Sequence, residues 1–221
     1  MNQLNPETVG NTPEFTNLKD YEVFVRQDWL YGNGTDEAQL HVRGKLEEEA
    51  REAAEAIKSE DPLRIIDELG DFLWTADASA LNVGITFEES LRHELRPDKI
   101  GEGSIDVSLI DQLALELIPE ESANEMAGWV NYLGHYLGKA SKQWHNLSPL
   151  VDQASDPQNF SDAWILLKRD RTFDGLTQAL LVTSAIAQRH AGKSLADIMQ
   201  HNADKLQARQ LSGSAVTTLP K

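Results

Sequence analysis

The sequence predicts an all-α protein that folds as an antiparallel helical bundle. Apolar residues recur every three or four positions in several long segments, which is the spacing of helices with one buried face. No segment shows the alternation of apolar and polar residues that is typical of a strand. Helix-capping residues stand at the breaks between the long segments, which supports the same fold class.

The first part of the chain predicts four helices after a polar tail over residues 1–17. The predicted helices are Leu18–Tyr31, about Asp36–Ser59, about Leu63–Asn82 and Phe87–Leu95. Alanine and glutamate enrich the second of them, and both residues favour helices. Asp61 followed by Pro62 is typical of the start of the third helix. Thr86 with Glu89 three residues later predicts a capping box at the start of the fourth.

The second part of the chain also predicts helices. These are Asp111–Leu117, Ala123–Trp144, Phe160–Leu167, Gly175–His190 and Ser194–Leu211. Five aromatic residues are predicted to anchor them in the core, namely Trp129, Tyr132, Tyr136, Trp144 and Trp164. A tail over residues 212–221 follows. The domain is therefore expected to span residues 18–211.

One layout recurs along the chain. Leu73–Leu91 and Leu181–Met199 both read as an apolar helix, a glycine, a Thr or Ser cap and a short helix. Two interpretations are open: a chance similarity, or a duplication that makes one chain a pseudo-dimer. In the second case, residues 18–96 are one half and residues 105–211 are a degenerate second half.

The composition limits the class of partner. The chain has 20 Lys and Arg residues against 36 Asp and Glu residues, a formal net charge of −16, which disfavours binding to nucleic acid or anionic membranes. The absence of cysteine excludes disulfides and thiolate zinc sites. The N-terminal segment does not resemble a signal peptide, and the apolar run 179–182 is too short to span a bilayer. We expect a cytoplasmic protein.

Two pairs of acidic residues form the most informative pattern. Glu49 and Glu52 are three residues apart on the second predicted helix, and Glu68 and Asp71 are three apart on the third. The short link 60–62 makes these helices antiparallel neighbours, so all four carboxylates can converge on one edge. Four convergent carboxylates repel one another unless a cation neutralises them, and hard oxygen ligands suit Mg²⁺, with Mn²⁺ as the alternative. For each glutamate alone, the alternative is a solvated helix face paired with neighbouring basic residues.

These residues resemble a known family, the MazG-like nucleotide pyrophosphohydrolases. The resemblance is carried by Tyr31-Gly32, Leu46-x-x-Glu49-x-x-Glu52, Asp67-Glu68-Leu69-Gly70-Asp71-Phe72-Leu73-Trp74 and Asn202-x-x-Lys205-Leu206-x-x-Arg209. Dimeric dUTPases and phosphoribosyl-ATP pyrophosphatases are relatives of this all-α family. The resemblance covers about residues 20–91 and 192–211 and leaves the segment between them unexplained.

The resemblance implies an enzyme that converts an NTP or dNTP and water into the monophosphate and pyrophosphate, in nucleotide-pool house-cleaning. It implies that the metal ligands and catalytic residues are Glu49, Glu52, Glu68 and Asp71. One of them, with Glu49 suggested, would be the general base. Substrate contacts are expected from Lys205, Arg209, Asn202 and Lys58, and base stacking from Trp29 or Tyr31.

Two alternatives to this function stay open. One is a non-catalytic helical protein-interaction module derived from the same fold. The other is a hydrolase of a related pyrophosphate, such as phosphoribosyl-ATP or an alarmone. If the duplication is real, Tyr136 and Lys139 stand near the positions of Glu49 and Glu52, and the second half supplies Asn202 and Lys205 to one composite site. A homodimer is also left open.

Overall fold

The computed structural model describes residues 15–28, 35–95, 97–147 and 160–212, and over these ranges the protein is all-α, as predicted. The α-helices of these ranges are α1 (Leu18–Asp28), α2 (Asp36–Ser59), α3 (Pro62–Asn82), α4 (Phe87–Glu94), α5 (Pro97–Ile100), α6 (Val107–Leu117), α7 (Ala123–Leu147), α8 (Phe160–Ile186) and α9 (Leu195–Leu211). A π-helical turn, Ala187–Ala191, extends α8. No helix in the described ranges is long and apolar enough to cross a membrane.

The predicted helix starts are confirmed by the caps. The Asp61 side chain accepts a hydrogen bond from the backbone N–H of Leu63, and Pro62 is the first residue of α3. Thr86 and Glu89 form the predicted capping box at the start of α4. Such caps satisfy backbone donors that have no partner inside the helix, so a short local signal fixes the boundary.

The prediction of separate helices over Phe160–Leu167 and Gly175–His190 is wrong, because α8 is continuous through the region between them. That region is charged and lacks an apolar stripe, which explains the predicted break. It nevertheless contains no proline, and Thr172 is buried with its hydroxyl bonded to the carbonyl of Lys168. Gly175 does not end the helix: it lets α8 approach α7, since a Cβ there would lie 3.2 Å from the side chain of Leu137.

The prediction that five aromatic residues anchor the core is correct for Trp144, which is buried, and wrong for three others. Trp129, Tyr132 and Trp164 are 38%, 63% and 47% exposed. Helical spacing identifies a shared face of the helix, but it does not show whether another element covers that face. In the described part of the chain, these rings remain on the surface.

Helices α2, α3, α7 and α8 form the central bundle, with α2 packed against both α3 and α7. Helices α2 and α7 are antiparallel, as shown by contacts of Asp36 with His145 and of Glu47 with His135. They pack closely at Gly134, where a Cβ would lie 2.7 Å from the carbonyl oxygen of Leu46. The core runs continuously through the bundle.

The order of elements in α1–α4 recurs in α6–α9. The starts of α1 and α6 pair with each other: the N–H of Leu18 donates to the carbonyl of Ile105, and the N–H of Val107 donates to that of Thr16. A carboxylate of the first helix in each half then bonds to the start of the last helix. Glu22 accepts from the N–H of Glu88 at 3.2 Å, and Asp111 accepts from the N–H of Leu195 at 3.0 Å.

The similarity between Leu73–Leu91 and Leu181–Met199 is also present in the structure. Gly84 and Gly192 both have left-handed backbones, with φ of 71° and 64°. Each is followed, at the same distance, by a capping box, Thr86 with Glu89 and Ser194 with Asp197. Each half therefore turns from its long helix into its last helix in the same way.

A buried carboxyl lies on α3. Asp77 is 0% exposed, and neither of its oxygens has a hydrogen-bond partner among the described residues. Burial raises the pKa of Asp77 well above its usual value, and the negative charge of Glu22 raises it further, while Arg26 opposes the shift. Glu22 is also buried, which raises its pKa to about 7.

We expect the protein to lose stability as the pH rises, with Asp77 as one cause. Because the folded state holds a proton that the unfolded state releases, stability falls from the ordinary pKa of the carboxyl up to its raised value, by up to about 1.4 kcal/mol per pH unit. Asp77→Asn should reduce this slope in urea unfolding between pH 5 and 8 and raise stability at pH 8. The control is Asp98→Asn, an exposed residue of α5. Equal slopes in the two variants would contradict the assignment.

Candidate metal centre

Three carboxylates from two helices converge on one point. Glu49 of α2 and Glu68 and Asp71 of α3 each offer an oxygen, and these oxygens lie within 4.8 Å of one another. The three-residue spacing of Glu68 and Asp71 places both on one face of α3, and the hairpin brings Glu49 beside them. We call these three residues the acidic cluster. It contains three of the four residues predicted as ligands.

Glu52, the fourth predicted ligand, lies at the edge of the cluster. Its carboxylate pairs with Arg51 at 3.2 Å, and it is not among the three oxygens that converge. Its negative charge nevertheless acts on the cluster. Burial is the larger cause of the raised pKa of Glu68, and the charge of Glu52 raises this pKa further.

The side chains around the acidic cluster neutralise it only in part. Burial raises the pKa of Glu49 to about 7, the charge of Asp71 adds to the shift, and Lys45 at 3.4 Å opposes it only in part. The pKa of Glu68 is raised as well. Partly buried carboxylates that repel one another favour either protons or a bound cation.

Two predicted residues of α9 reach the acidic cluster from the far end of the sequence. The Lys205 ammonium donates to Asp71 Oδ2 at 2.7 Å, and the Asn202 amide donates to Asp71 Oδ1 at 2.9 Å. The close packing of α9 on α3 depends on Gly70, where a Cβ would lie 3.0 Å from the Cβ of Asn202. Asn202 is fully buried, and its carbonyl oxygen has no partner among the described residues, so it remains available as an acceptor.

Asp67 and His201 also belong to this contact, although no role was predicted for either of them. Asp67 accepts a hydrogen bond from Lys205 at 2.6 Å, and His201 lies 3.3 Å from the same oxygen. Asp67 is one helical turn before Asp71, and His201 is one turn before Lys205, so both face the α3–α9 contact. That spacing was the available signal, but it became informative only once α3 and α9 were known to pack together.

The other predicted substrate contacts do not gather at the acidic cluster. Lys58 and Arg209 are exposed in the last turns of α2 and α9. Within the described ranges, no hydrogen bond or ion pair joins either side chain to the cluster. Trp29 and Tyr31, the predicted base-stacking residues, lie outside the described residues.

The comparison with protein families identifies the segment that carries these carboxylates. Residues 38–96 match the MazG nucleotide pyrophosphohydrolase domain. The matched segment contains most of α2, all of α3 and α4, and the four predicted carboxylates, so the predicted MazG-like resemblance is confirmed there. Comparisons with curated proteins and with solved structures found no match.

The MazG-like segment does not contain the whole site. Asn202 and Lys205 lie on α9, well beyond the end of the family match, and they reach Asp71 only through the fold. The positive charge that pairs with Asp71 is therefore supplied by a part of the chain that the family match does not describe.

Removing the Lys205 charge should destabilise the metal-free protein. Lys205→Met leaves Asp67 and Asp71 without their shared cation, and we expect a loss of about 1–3 kcal/mol in urea unfolding with EDTA present. Lys58→Met is the matched control, and it should change stability by less than about 0.5 kcal/mol because Lys58 is exposed. Equal effects of the two substitutions would show that Lys205 does not neutralise the cluster.

Proposed function

We propose that this protein is a divalent-metal-dependent nucleoside triphosphate pyrophosphohydrolase, which converts an NTP or dNTP and water into the monophosphate and pyrophosphate. The observation that carries the proposal is the placement of Lys205 and Asn202 against the acidic cluster of the MazG-like segment. Acidic residues that hold a cation and a lysine that binds phosphate are both needed, because the substrate and the protein are both anionic.

The residues present fit a hard cation. Three carboxylate oxygens within 4.8 Å of one another are oxygen donors of the kind that Mg²⁺ and Mn²⁺ prefer. Glu49, Glu68 and Asp71 would hold the ion, with Glu52 as the proposed fourth ligand. When bound, the ion would supply polarisation of the phosphoryl oxygens and acidification of a water molecule.

The side chains of the site have separate roles in this proposal. One carboxylate must accept the proton of the attacking water, and we assign this role to Glu49 because Asp71 is already bonded to Lys205 and Asn202. Lys205 is half-buried, and its ammonium pairs with Asp71. When pyrophosphate leaves, the ammonium can pair with the pyrophosphate oxygens instead of with that carboxylate. Asn202 orients Asp71 through its amide.

We also propose that the chain is a pseudo-dimer with one composite site. Thr35 and Ser122 cap α2 and α7 in the same way, and the same separation along the chain relates Glu49 to Tyr136 and Glu52 to Lys139. Gly84 corresponds to Gly192, and the same number of residues separates Glu68 from Leu176 and Asp71 from Ala179. Leu176 and Ala179 therefore stand where the first half has Glu68 and Asp71. The second half thus lacks the carboxylates but supplies Lys205 and Asn202 to the first.

The test is release of pyrophosphate from a panel of purified nucleotides with Mg²⁺, with Mn²⁺ and with EDTA. The panel contains the NTPs, the dNTPs including dUTP, phosphoribosyl-ATP and an alarmone. The proposal predicts metal-dependent pyrophosphate release from at least one NTP or dNTP. Cleavage of phosphoribosyl-ATP or the alarmone alone would show that the substrate is a related pyrophosphate and not an NTP or dNTP. No cleavage under any condition would favour a non-catalytic interaction module.

A further inference from the structure

A second cavity lies in the other half of the molecule, between α7 and α8. Its volume is about 490 Å³, which is in the range of small-molecule sites. Three aromatic rings, Trp129, Tyr132 and Tyr136, line it together with the polar side chains of Asp174 and Gln178. None of these residues belongs to the acidic cluster, and the proposed hydrolysis does not use them.

The position of this cavity corresponds to that of the acidic cluster in the first half. The separation between the caps Thr35 and Ser122 also relates Lys45 to Tyr132 and Glu49 to Tyr136. Where α2 places a lysine and a glutamate, α7 therefore places two aromatic rings. The acidic cluster of the first half therefore corresponds to an aromatic cavity in the second.

The rings are arranged to accept a flat partner. Tyr132 and Tyr136 stack with an angle of 18° between their planes and 5.8 Å between their centroids. Tyr132 is 63% exposed and Trp129 is 38% exposed, so large apolar surfaces remain open beside the cavity. A planar ring bound against such surfaces gains stacking and burial of apolar area.

The cavity also has a polar edge. The Tyr136 hydroxyl donates to Asp174 Oδ2 at 3.2 Å, which fixes both groups, and burial raises the pKa of Tyr136 to about 12. The Gln178 amide makes no hydrogen bond with any described residue, so it offers one donor and one acceptor group. Arg171 lies near enough to oppose the raised pKa of Tyr136, but it is not among the described lining residues, whereas the carboxylate of Asp174 is among them and disfavours a phosphate.

We propose that this cavity is a second ligand site, which binds an uncharged nucleoside by stacking the base on the α7 aromatic rings. Gln178 would pair with the polar edge of the base, as an amide side chain can do with any of the bases. The site catalyses no reaction. The proposal does not rest on the proposed hydrolase function, because neither the acidic cluster nor a metal ion takes part in binding.

The experiment is calorimetric titration of the full chain with adenosine, guanosine, cytidine, thymidine and uridine, in EDTA. We expect saturable binding of at least one nucleoside at one site per chain. Tyr132→Ala should weaken it at least about ten-fold, because alanine substitution of a base-stacking ring has effects of this size. Tyr132 is exposed, so this variant should keep its fold, as checked by circular dichroism. Gln178→Ala should weaken binding less and change the order of preference among the bases.

Glu68→Gln is the matched control, and it should bind the nucleoside as the unmodified protein does. Saturation by none of the five nucleosides would overturn the proposal. So would binding that Glu68→Gln abolishes and Tyr132→Ala leaves unchanged, since the ligand would then occupy the acidic cluster. A dimer in solution that Tyr132→Ala dissociates would show that the face joins two copies instead. Pyrophosphate release, measured separately, distinguishes each result from failure of the proposed hydrolase.

Discussion

Replacing Glu68 by glutamine is expected to lower pyrophosphate release by about 10²–10³-fold, the range seen when one electrostatic contact of a transition state is removed. The amide keeps the shape of the side chain but removes a negative oxygen from the acidic cluster. Glu68 carries a raised pKa because it is partly buried beside Glu52, so its charge is costly in the metal-free protein. The measurement is the initial rate of pyrophosphate release with saturating Mg²⁺.

Glu55→Gln is the control for this substitution. Glu55 is exposed on α2, pairs with Arg51 and Arg64, and does not belong to the acidic cluster, so its rate should stay within about two-fold of the unmodified protein. Thermal unfolding in EDTA separates catalysis from folding, since Glu68→Gln should be at least as stable as the unmodified protein. A Glu68→Gln protein that keeps more than a tenth of the activity would contradict the assignment of Glu68.

The second large effect concerns stability and the contact between α2 and α7. Gly134→Ala places a Cβ against the side chain of Ala50 and 2.7 Å from the carbonyl oxygen of Leu46, where backbone atoms cannot move aside easily. We expect the free energy of unfolding to fall by about 3 kcal/mol, or the protein not to fold, because overpacking of this kind strains a buried interface. The measurement is unfolding in urea.

Gly44→Ala is the matched control for Gly134→Ala. Gly44 lies in α2, and no atom would lie within 4 Å of its added Cβ. Alanine favours a helix over glycine by about 1 kcal/mol, so this variant should be slightly more stable than the unmodified protein. If the two alanine variants were equally stable, this result would contradict the close packing of α2 against α7 at Gly134.

Local signals explain why the α2–α3 hairpin could be predicted well. The caps at Asp61 and Thr86 and the proline at position 62 act within one or two turns, so the helix boundaries follow from neighbouring residues. The convergence of Glu49, Glu68 and Asp71 followed from helical spacing together with a link too short for any but an antiparallel arrangement.

Features that depend on packing could not be predicted in the same way. The continuity of α8 depends on burial of Thr172 and on the approach of Gly175 to α7, neither of which has a local signal. The exposure of Trp129 and Tyr132 depends on what covers their face. Asp67 and Lys205 are separated by more than half of the chain, so their contact could be identified only from the packing of α9 on α3.

The proposed function requires the acidic cluster to bind a divalent cation, and electron paramagnetic resonance of free Mn²⁺ measures this binding directly. We expect saturable loss of the free-ion signal with the unmodified protein and with Glu55→Gln. Binding should be at least about ten-fold weaker in Glu68→Gln and Asp71→Asn, because each removes a ligand charge. Equal Mn²⁺ binding by all four proteins, or by none, would contradict cation binding by the acidic cluster.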